Sequence, residues 1–365
     1  MRADRGPLVS VEIAAGVTAV LVLDHDIARR ILPDDDHFPA DPRGWQRTVG
    51  SDCPALPVLG WRPDALRSDG AEHIRYRGAV TDSLKCIDQF ALRRATEFTA
   101  KELINGFCAA GAADLLHDFA IPLTVTVLDR LLGLPPEPAR QAFTATAAPS
   151  DVIDPAAAHQ SLIEAMEEVV EIKRRRLGPD MTSSLLEHRS GLSTVEVAHA
   201  LAMLYALGSE LTWNLIGITL LETMTAGLAG GALSIRELID EALFADPPLA
   251  NACPRFPRQM QIVDGVMLQP HRPVLVSLAA CNGSVSGDRG GNRSHLAWGA
   301  GKHACPARDE ALIIAEEALG QLLDALPDIQ LAIPADGLRW QPNPFLRALK
   351  ALPVTFPPSP PLPLT

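Results

Sequence analysis

Apolar residues along this chain recur mostly at helical spacing, and strand-like alternation is confined to a few short runs. Near the start, Val9–Val22 alternates apolar and polar positions and pauses at Gly16, which predicts a short hairpin or a bent strand pair. Asp26–Leu32 reads as a short helix and Pro33–Arg67 as loop-rich. Helical patterns follow over Ala71–Phe90, Arg93–Gly106, Ala113–Leu132, Ser161–Leu177 and Met181–Glu187. Ser193–Glu196 has the S-x-x-E form of a capping box and opens a long helix that Gly227 should close. That helix exceeds the usual globular length and is apolar nearly all round in its middle, the pattern of a helix running through a core. Ser234–Phe244 is a further helix, and Gln261–Gln269 and Val274–Leu278 read as strands. A last helix spans Arg308–Leu326, with Ala311, Ala315, Ala318 and Leu322 on one face. The chain is expected to be mainly α with a smaller β region.

Composition narrows this further. At 365 residues the chain could hold two average domains, but it shows no linker, repeat or low-complexity break. Only the proline-rich stretch Pro353–Pro363 looks irregular, so one domain over residues 1–365 is expected, with residues 354–365 as a proline-rich tail. The six cysteines are scattered without a C-x-x-C pair, which argues against a disulfide framework or zinc site and for a reducing compartment. Met1–Pro7 is polar and precedes no long apolar core, and no run approaches the roughly 18 apolar residues of a membrane span. A cytoplasmic protein without a membrane partner is expected. The net charge of −12 makes nucleic acid an unsuitable partner.

The chemistry concentrates in His295–Ala311, H-L-A-W-G-A-G-K-H-A-C-P-A-R-D-E-A. Gly299 and Gly301 allow a tight turn in which backbone N–H groups approach its centre. Cys305 follows at the junction with a helix, and Pro306 suits that helix's first position. A thiol at a helix N-terminus is biased towards thiolate, the ligand that haem iron takes in oxygen-activating haem proteins. A buried structural cysteine is one competing reading. A second is the G-x-G-x-x-A turn of a dinucleotide site at Gly299–Ala304. The latter fails on context, because no strand-and-acid pattern surrounds it.

The run resembles the haem-ligand loop of cytochromes P-450, F-G-x-G-x-H-x-C-x-G, with Trp298 in place of Phe and Ala307 in place of the last Gly. The resemblance implies haem b as cofactor, Cys305 as the iron ligand, and Trp298 and Gly299 beside the cofactor. Asp69–Arg77, D-G-A-E-H-I-R-Y-R, resembles the family's D-P-P-E-H-x-x-x-R element, which implies propionate donors at His73 and Arg77. Arg255 occupies the propionate arginine position ahead of a strand, and His303 is the fourth donor. Solvated helix charge remains the better reading for Arg75. Leu128–Pro136 and Val274–Asn282 extend the resemblance over nearly the whole chain, and a domain of this length buries about 75% of its unfolded surface, ample for enclosing a haem.

Three departures stand out. Glu241 holds the Glu position of the family's E-x-x-R ion pair, but Phe244 replaces the arginine. A buried carboxylate without its partner costs on the order of several kcal/mol, so Glu241 must find Arg289 or Arg293, or sit in water. The stretch from Asn282 to Cys305 is short and rich in Gly and Ser. Over the haem the family carries A-G-x-[DE]-T-T, whose acid and alcohol relay protons; here the residues are Leu207-Gly208-Ser209-Glu210-Leu211-Thr212. Glu210 stands at the acid position and Gly208 suits close approach, but Leu211 replaces the alcohol and cannot donate a proton. Thr212 is the nearest substitute, although neighbours on a helix diverge by about 100°. Glu210 could equally be a helix acid satisfied locally.

Position in the resembled fold places Leu207, Leu211, Asn251, Ala252, Leu59 and Trp61 around the substrate, each equally readable as core. The resemblance implies a haem-thiolate monooxygenase of secondary metabolism that oxidises an apolar small molecule with electrons from a ferredoxin and its reductase. Peroxide-driven, coupling or isomerising haem-thiolate chemistry, or a non-catalytic auxiliary role on the same fold, are the alternatives.

Overall fold

The computed structural model describes residues 6–147, 154–225, 233–285 and 292–364. The expected N-terminal hairpin is present as β1 (Leu8–Ala14) and β2 (Val17–Val22), reversed at Gly16 with φ +72°. Asp24 caps α1 (His25–Ile31) by accepting from the N–H groups of Asp26 and Ile27. Single-turn helices Arg43–Gln46 and Leu56–Leu59 punctuate the loop-rich stretch after it.

The expected Ala71–Phe90 helix ends early, as α2 (Gly70–Lys85), and α3 (Gln89–Phe107) begins ahead of Arg93. The break falls where the Asp88 carboxylate caps the N–H groups of Phe90 and Ala91. After β3 (Ala112–Asp114), a π-helical turn at Leu115–Ala120 leads into α4 (Ile121–Leu132), which Gly133 ends in the left-handed conformation. α5 (Pro136–Ala147) has no counterpart among the expected helices, because its prolines read as loop although a first helical turn tolerates them. α6 (Pro155–Arg175) starts ahead of Ser161, capped by Asp154. α7 (Met181–Glu187) keeps its expected bounds.

The long α8 (Thr194–Thr225) opens with the expected capping box: Ser193 N–H donates to Glu196 Oε2 at 2.8 Å, and Glu196 N–H to Ser193 Oγ at 3.3 Å. Gly227, its expected terminator, lies outside the described residues. By length and composition α8 could cross a membrane, but 61% of its most apolar window is buried inside the protein. Ser234 and Glu237 form a second capping box at α9 (Ile235–Ala245).

β4 (Asn251–Arg255) precedes β5 (Gln261–Val263) and β6 (Val266–Leu268), which form a hairpin where one strand was expected. Asp264 and Gly265, at φ +49° and +77°, are the two-residue turn that divides it. β7 (Val274–Ser277) completes a sheet of order β1-β2-β7-β4, in which β2 and β7 run parallel. α10 (Arg308–Ala325) follows, then β8 (Gln330–Leu331) and β9 (Pro353–Thr355). The tail, expected to be irregular, thus supplies the middle strand of the β3-β9-β8 sheet, fixed by the buried Val354.

Two cores grip the ends of α8. Its C-terminal half packs Ile216 and Leu220 with Phe119, Leu123, Ala315 and Leu319, and its N-terminal half packs Leu201 and Tyr205 with Met166, Val169 and Leu185. Between them the helix opens: Leu207, in the middle of a core helix, is 38% exposed.

Candidate functional site

The cysteine loop is set by backbone geometry. Cys305 N–H donates to the Trp298 carbonyl at 2.8 Å, and Gly299 and Gly301 take φ +71° and +73°. A Cβ on Gly301 would lie 2.7 Å from Pro33 Cα and 2.9 Å from the Leu32 carbonyl, so the loop presses on the chain just beyond α1 in a way only glycine allows. The helix starts at Arg308 as its pattern predicts, but Ala307 is the N-cap of α10, so Pro306 lies ahead of the helix and not at its first position. The Cys305 surface is accessible, yet burial pushes its thiol above the ordinary cysteine range against the opposing Ala307 N–H and Arg77 guanidinium. The sulfur is thus surface-accessible and yet largely desolvated.

Buried donors cluster beside this loop. His73 on α2 and His303 in the turn before Cys305 place their rings 4.1 Å apart. Among the described residues, His73 Nε2, both His303 ring nitrogens and Arg255 Nε are buried and lack a hydrogen-bond partner. Burial, then Arg255 and His73, press the His303 pKa down to about 3; the Ala65 carbonyl, which pulls it up, lies outside hydrogen-bond geometry. Arg255 is 2% exposed and donates only to the carbonyls of Pro254 at 3.0 Å and Leu32 at 3.1 Å. Burial also lowers Arg77, which bonds no carboxylate among the described residues and feels Cys305. Trp298 Nε1 is a further buried donor without a partner. Unsatisfied buried groups cost about 1–3 kcal/mol each, so a cluster of them marks a place for a ligand. A thiol with imidazole and guanidinium donors fits an iron porphyrin carrying two carboxylates.

On α8, Leu207 is exposed, and Met203, Ala206, Glu210 and Leu211 on the same side are half-buried. Burial alone lifts the Glu210 pKa to about 7. Thr212 is 4% exposed on another side of the helix, and Ser209 is turned back on the Tyr205 carbonyl at 2.6 Å, so neither joins Glu210. The Cβ direction of Gly208 points at Leu128, 3.6 Å away, so this glycine spaces α8 from α4 instead of opening the cavity. Asn214, which the motif comparison passed over, donates to the Glu210 carbonyl at 2.8 Å; its i+4 spacing was the available signal. Asn251 spends its amide on the Pro344 carbonyl at 2.7 Å, Ala252 packs against the sheet core, and Leu59 is core beside Trp45 and Phe256. Trp61 lies beneath the Arg43 guanidinium, 5.2 Å from ring centroid to Cζ, with its buried N–H unpartnered.

The departure at the E-x-x-R position is resolved by a different set of charges. Phe244 is 1% exposed and meets the His295 ring edge-on at 5.2 Å. Asp240, one residue before Glu241, collects Arg293 at 2.9 Å, Arg236 at 3.2 Å and His295 at 3.6 Å. Burial opposes its ionisation, but these partners together hold its carboxyl below the usual range. Arg293 therefore serves Asp240, and Arg289 lies outside the described residues. Glu241 has no hydrogen bond or ion pair among the described residues and is partly exposed. Asn282 bridges this region to the loop, donating to the Leu243 carbonyl at 2.9 Å and accepting from Leu296 N–H at 2.7 Å.

No protein-family profile matches the chain. It is 30% identical over 374 residues to the cytochrome P450 monooxygenase PikC of Streptomyces venezuelae, covering 96% of this chain and 88% of that protein. It is 28% identical to the 6-deoxyerythronolide B hydroxylase of Saccharopolyspora erythraea, covering 93% and 90%. Among solved structures, CYP154C4 from Streptomyces sp. ATCC 11861 superposes with a TM-score of 0.87 at 26% identity, covering 97% of this chain and 94% of that one. The cysteine loop, the mainly helical fold and relatives matching along nearly the whole chain place it in the cytochrome P450 family, as a haem b monooxygenase.

Proposed function

We propose that this P450 inserts an oxygen atom into a largely apolar small molecule of secondary metabolism, working in the cytoplasm as one haem domain supplied by a ferredoxin and its reductase. The observation that carries the reading is the set of buried, unpartnered donors on His73, His303 and Arg255 beside the Cys305 loop. Cys305 would ligate the iron; His73, Arg77, Arg255 and His303 would hold the propionates; Trp298 and Gly299 would flank the cofactor. The haem supplies oxygen activation. Glu210, at a pKa of about 7, can hold and release a proton near neutrality at the middle of α8. The accessible Leu207 and Leu211 give the pocket an apolar wall.

One observation favours a second reading, peroxide-driven turnover. Leu211 bears no hydroxyl and Thr212 is buried elsewhere, so the helix offers no alcohol beside Glu210. The reduced carbon-monoxide spectrum tests the common basis of both readings. The red-shifted thiolate Soret band is expected; Cys305→Ala should abolish it, whereas Cys53→Ala and Cys281→Ala should not. A histidine-type band, or no bound haem, would overturn the assignment.

A further inference from the structure

A cluster of nitrogen donors lies away from the cysteine. His159 on α6 and His199 on α8 place their rings 6.0 Å apart, and neither ring makes a hydrogen bond among the described residues. Arg62 donates one N–H to the Pro57 carbonyl, and its side chain makes no other hydrogen bond or ion pair among the described residues. The neighbouring acid is already committed: Asp64, 2% exposed, pairs with Arg67 at 3.0 Å and accepts the N–H groups of Leu66 and Arg67. Arg62 is therefore cationic charge in excess, beside two imidazoles that accept nothing and donate to nothing. Burial and the arginines hold His159 at about 3 and burial pulls Arg62 to about 9, so the region is short of anionic charge.

Its position relates it to the pocket. His199 and Glu210 are separated by three turns of α8, about 16 Å, and lie within roughly 20° of the same face. Between them on the same side of α8 lie the half-buried Met203 and Ala206 and the exposed Leu207.

We propose that Arg62, His159 and His199 form an anion subsite at the outer end of the distal cavity, which holds the carboxylate of an elongated, otherwise apolar substrate whose far end reaches Glu210. The inference rests on the monooxygenase reading for the identity of the cavity, but not on turnover. A carboxylate here would accept charge-assisted hydrogen bonds from the guanidinium and from both imidazoles. The apolar strip would cover the chain between the two ends.

The test uses the full-length, haem-loaded chain with tetradecanoic acid, its methyl ester and tetradecan-1-ol. Affinity is read from the Soret spin-state shift and, separately, by calorimetry. The acid should bind at least tenfold more tightly than the ester or the alcohol. Arg62→Gln should weaken acid binding by about ten- to a hundredfold and leave the ester unchanged, the loss expected of a charge-assisted hydrogen bond. The double variant His159→Asn/His199→Asn, which keeps Arg62, should weaken the acid several-fold. Arg75→Gln, whose cation pairs with Glu196 at 2.7 Å, should retain the preference. No preference for the acid, no binding of any probe, or a preference that survives Arg62→Gln overturns the subsite. The carbon-monoxide spectrum of the same sample separates the two readings. A thiolate band without acid preference sinks the subsite alone; a calorimetric preference lost in Arg62→Gln without a thiolate band sinks the haem assignment alone.

Discussion

Phe244→Arg restores the family's arginine and should destabilise this protein. The slot is sealed: Phe244 is 1% exposed and its ring meets His295 edge-to-face at 5.2 Å and 87°. Removing the phenyl forfeits about 1.5–3 kcal/mol of burial and about 0.5–1.5 kcal/mol of aromatic pairing. The incoming guanidinium would find Asp240 already engaged with Arg236, Arg293 and His295. Glu241, three residues back, is partly exposed, and pairing with it would return only about 0–1 kcal/mol. The expected loss is about 1–4.5 kcal/mol. Phe244→Leu should cost less, because the slot stays apolar. The assay is urea unfolding of the haem-loaded protein, followed by the Soret band and far-UV circular dichroism. An unchanged or raised midpoint for Phe244→Arg would refute the reasoning, by showing that Glu241 and the new arginine rebuild the missing ion pair.

Gly301→Ala should strip haem affinity and lower the melting temperature, because its Cβ would meet Pro33 Cα at 2.7 Å and the Leu32 carbonyl at 2.9 Å at a positive φ; normal haem occupancy would count against the packed loop. Glu210→Gln should stabilise the fold at pH 8 by on the order of 3 kcal/mol and least at pH 5, measured by unfolding titrations at both. The sign follows from burial raising the folded-state pKa to about 7: between the unfolded value and pH 7 the folded chain binds the extra proton, so the wild type loses stability as pH rises. Leu211→Thr should raise product formed per NAD(P)H, since general acid delivery is worth about 10²–10⁴-fold and the parent should leak peroxide. Tight coupling in the parent would place the proton route elsewhere.

How much of this was legible depended on how local the determinant is. The cysteine turn could be read because two glycines, a cysteine and a proline lie within eight residues, and the capping box at Ser193 because its partner is three residues away. The start of α3 was missed because one cap, Asp88, interrupts a pattern that stays apolar-periodic on both sides. The β5–β6 hairpin was missed for the matching reason in a strand: Asp264–Gly265 is brief enough to pass as part of the alternation. Orientation was harder than element type. Gly208 and Glu210 are two residues apart, and only the packing of Leu128 shows that the glycine serves the helix contact. The Asp240 cluster was beyond reach, because Arg293 had to be assigned between adjacent acids from 53 residues away.

The departures and the retained residues divide along a physical line. On the proposed reading, Leu211 and Phe244 would alter proton delivery and one ion pair, and each has a local repair or a tolerable loss: Asp240 holds Arg236 and Arg293, and Glu210 can hold a proton near neutrality. The donors beside Cys305 have no such repair. Among the described residues, His73 Nε2, the two His303 nitrogens and Arg255 Nε stay unpaired within packed protein, at about 1–3 kcal/mol each where no ligand meets them. Net stabilities of 5–15 kcal/mol leave little room for that loss. The cofactor is therefore part of what makes this fold stable as well as what makes it reactive, since anything that binds only the folded state stabilises it in proportion to the logarithm of its excess over Kd. A chain that keeps these donors is suited to holding the haem, and on the proposed reading its oxygen chemistry would be left to Glu210, ordered water and whatever the substrate itself brings.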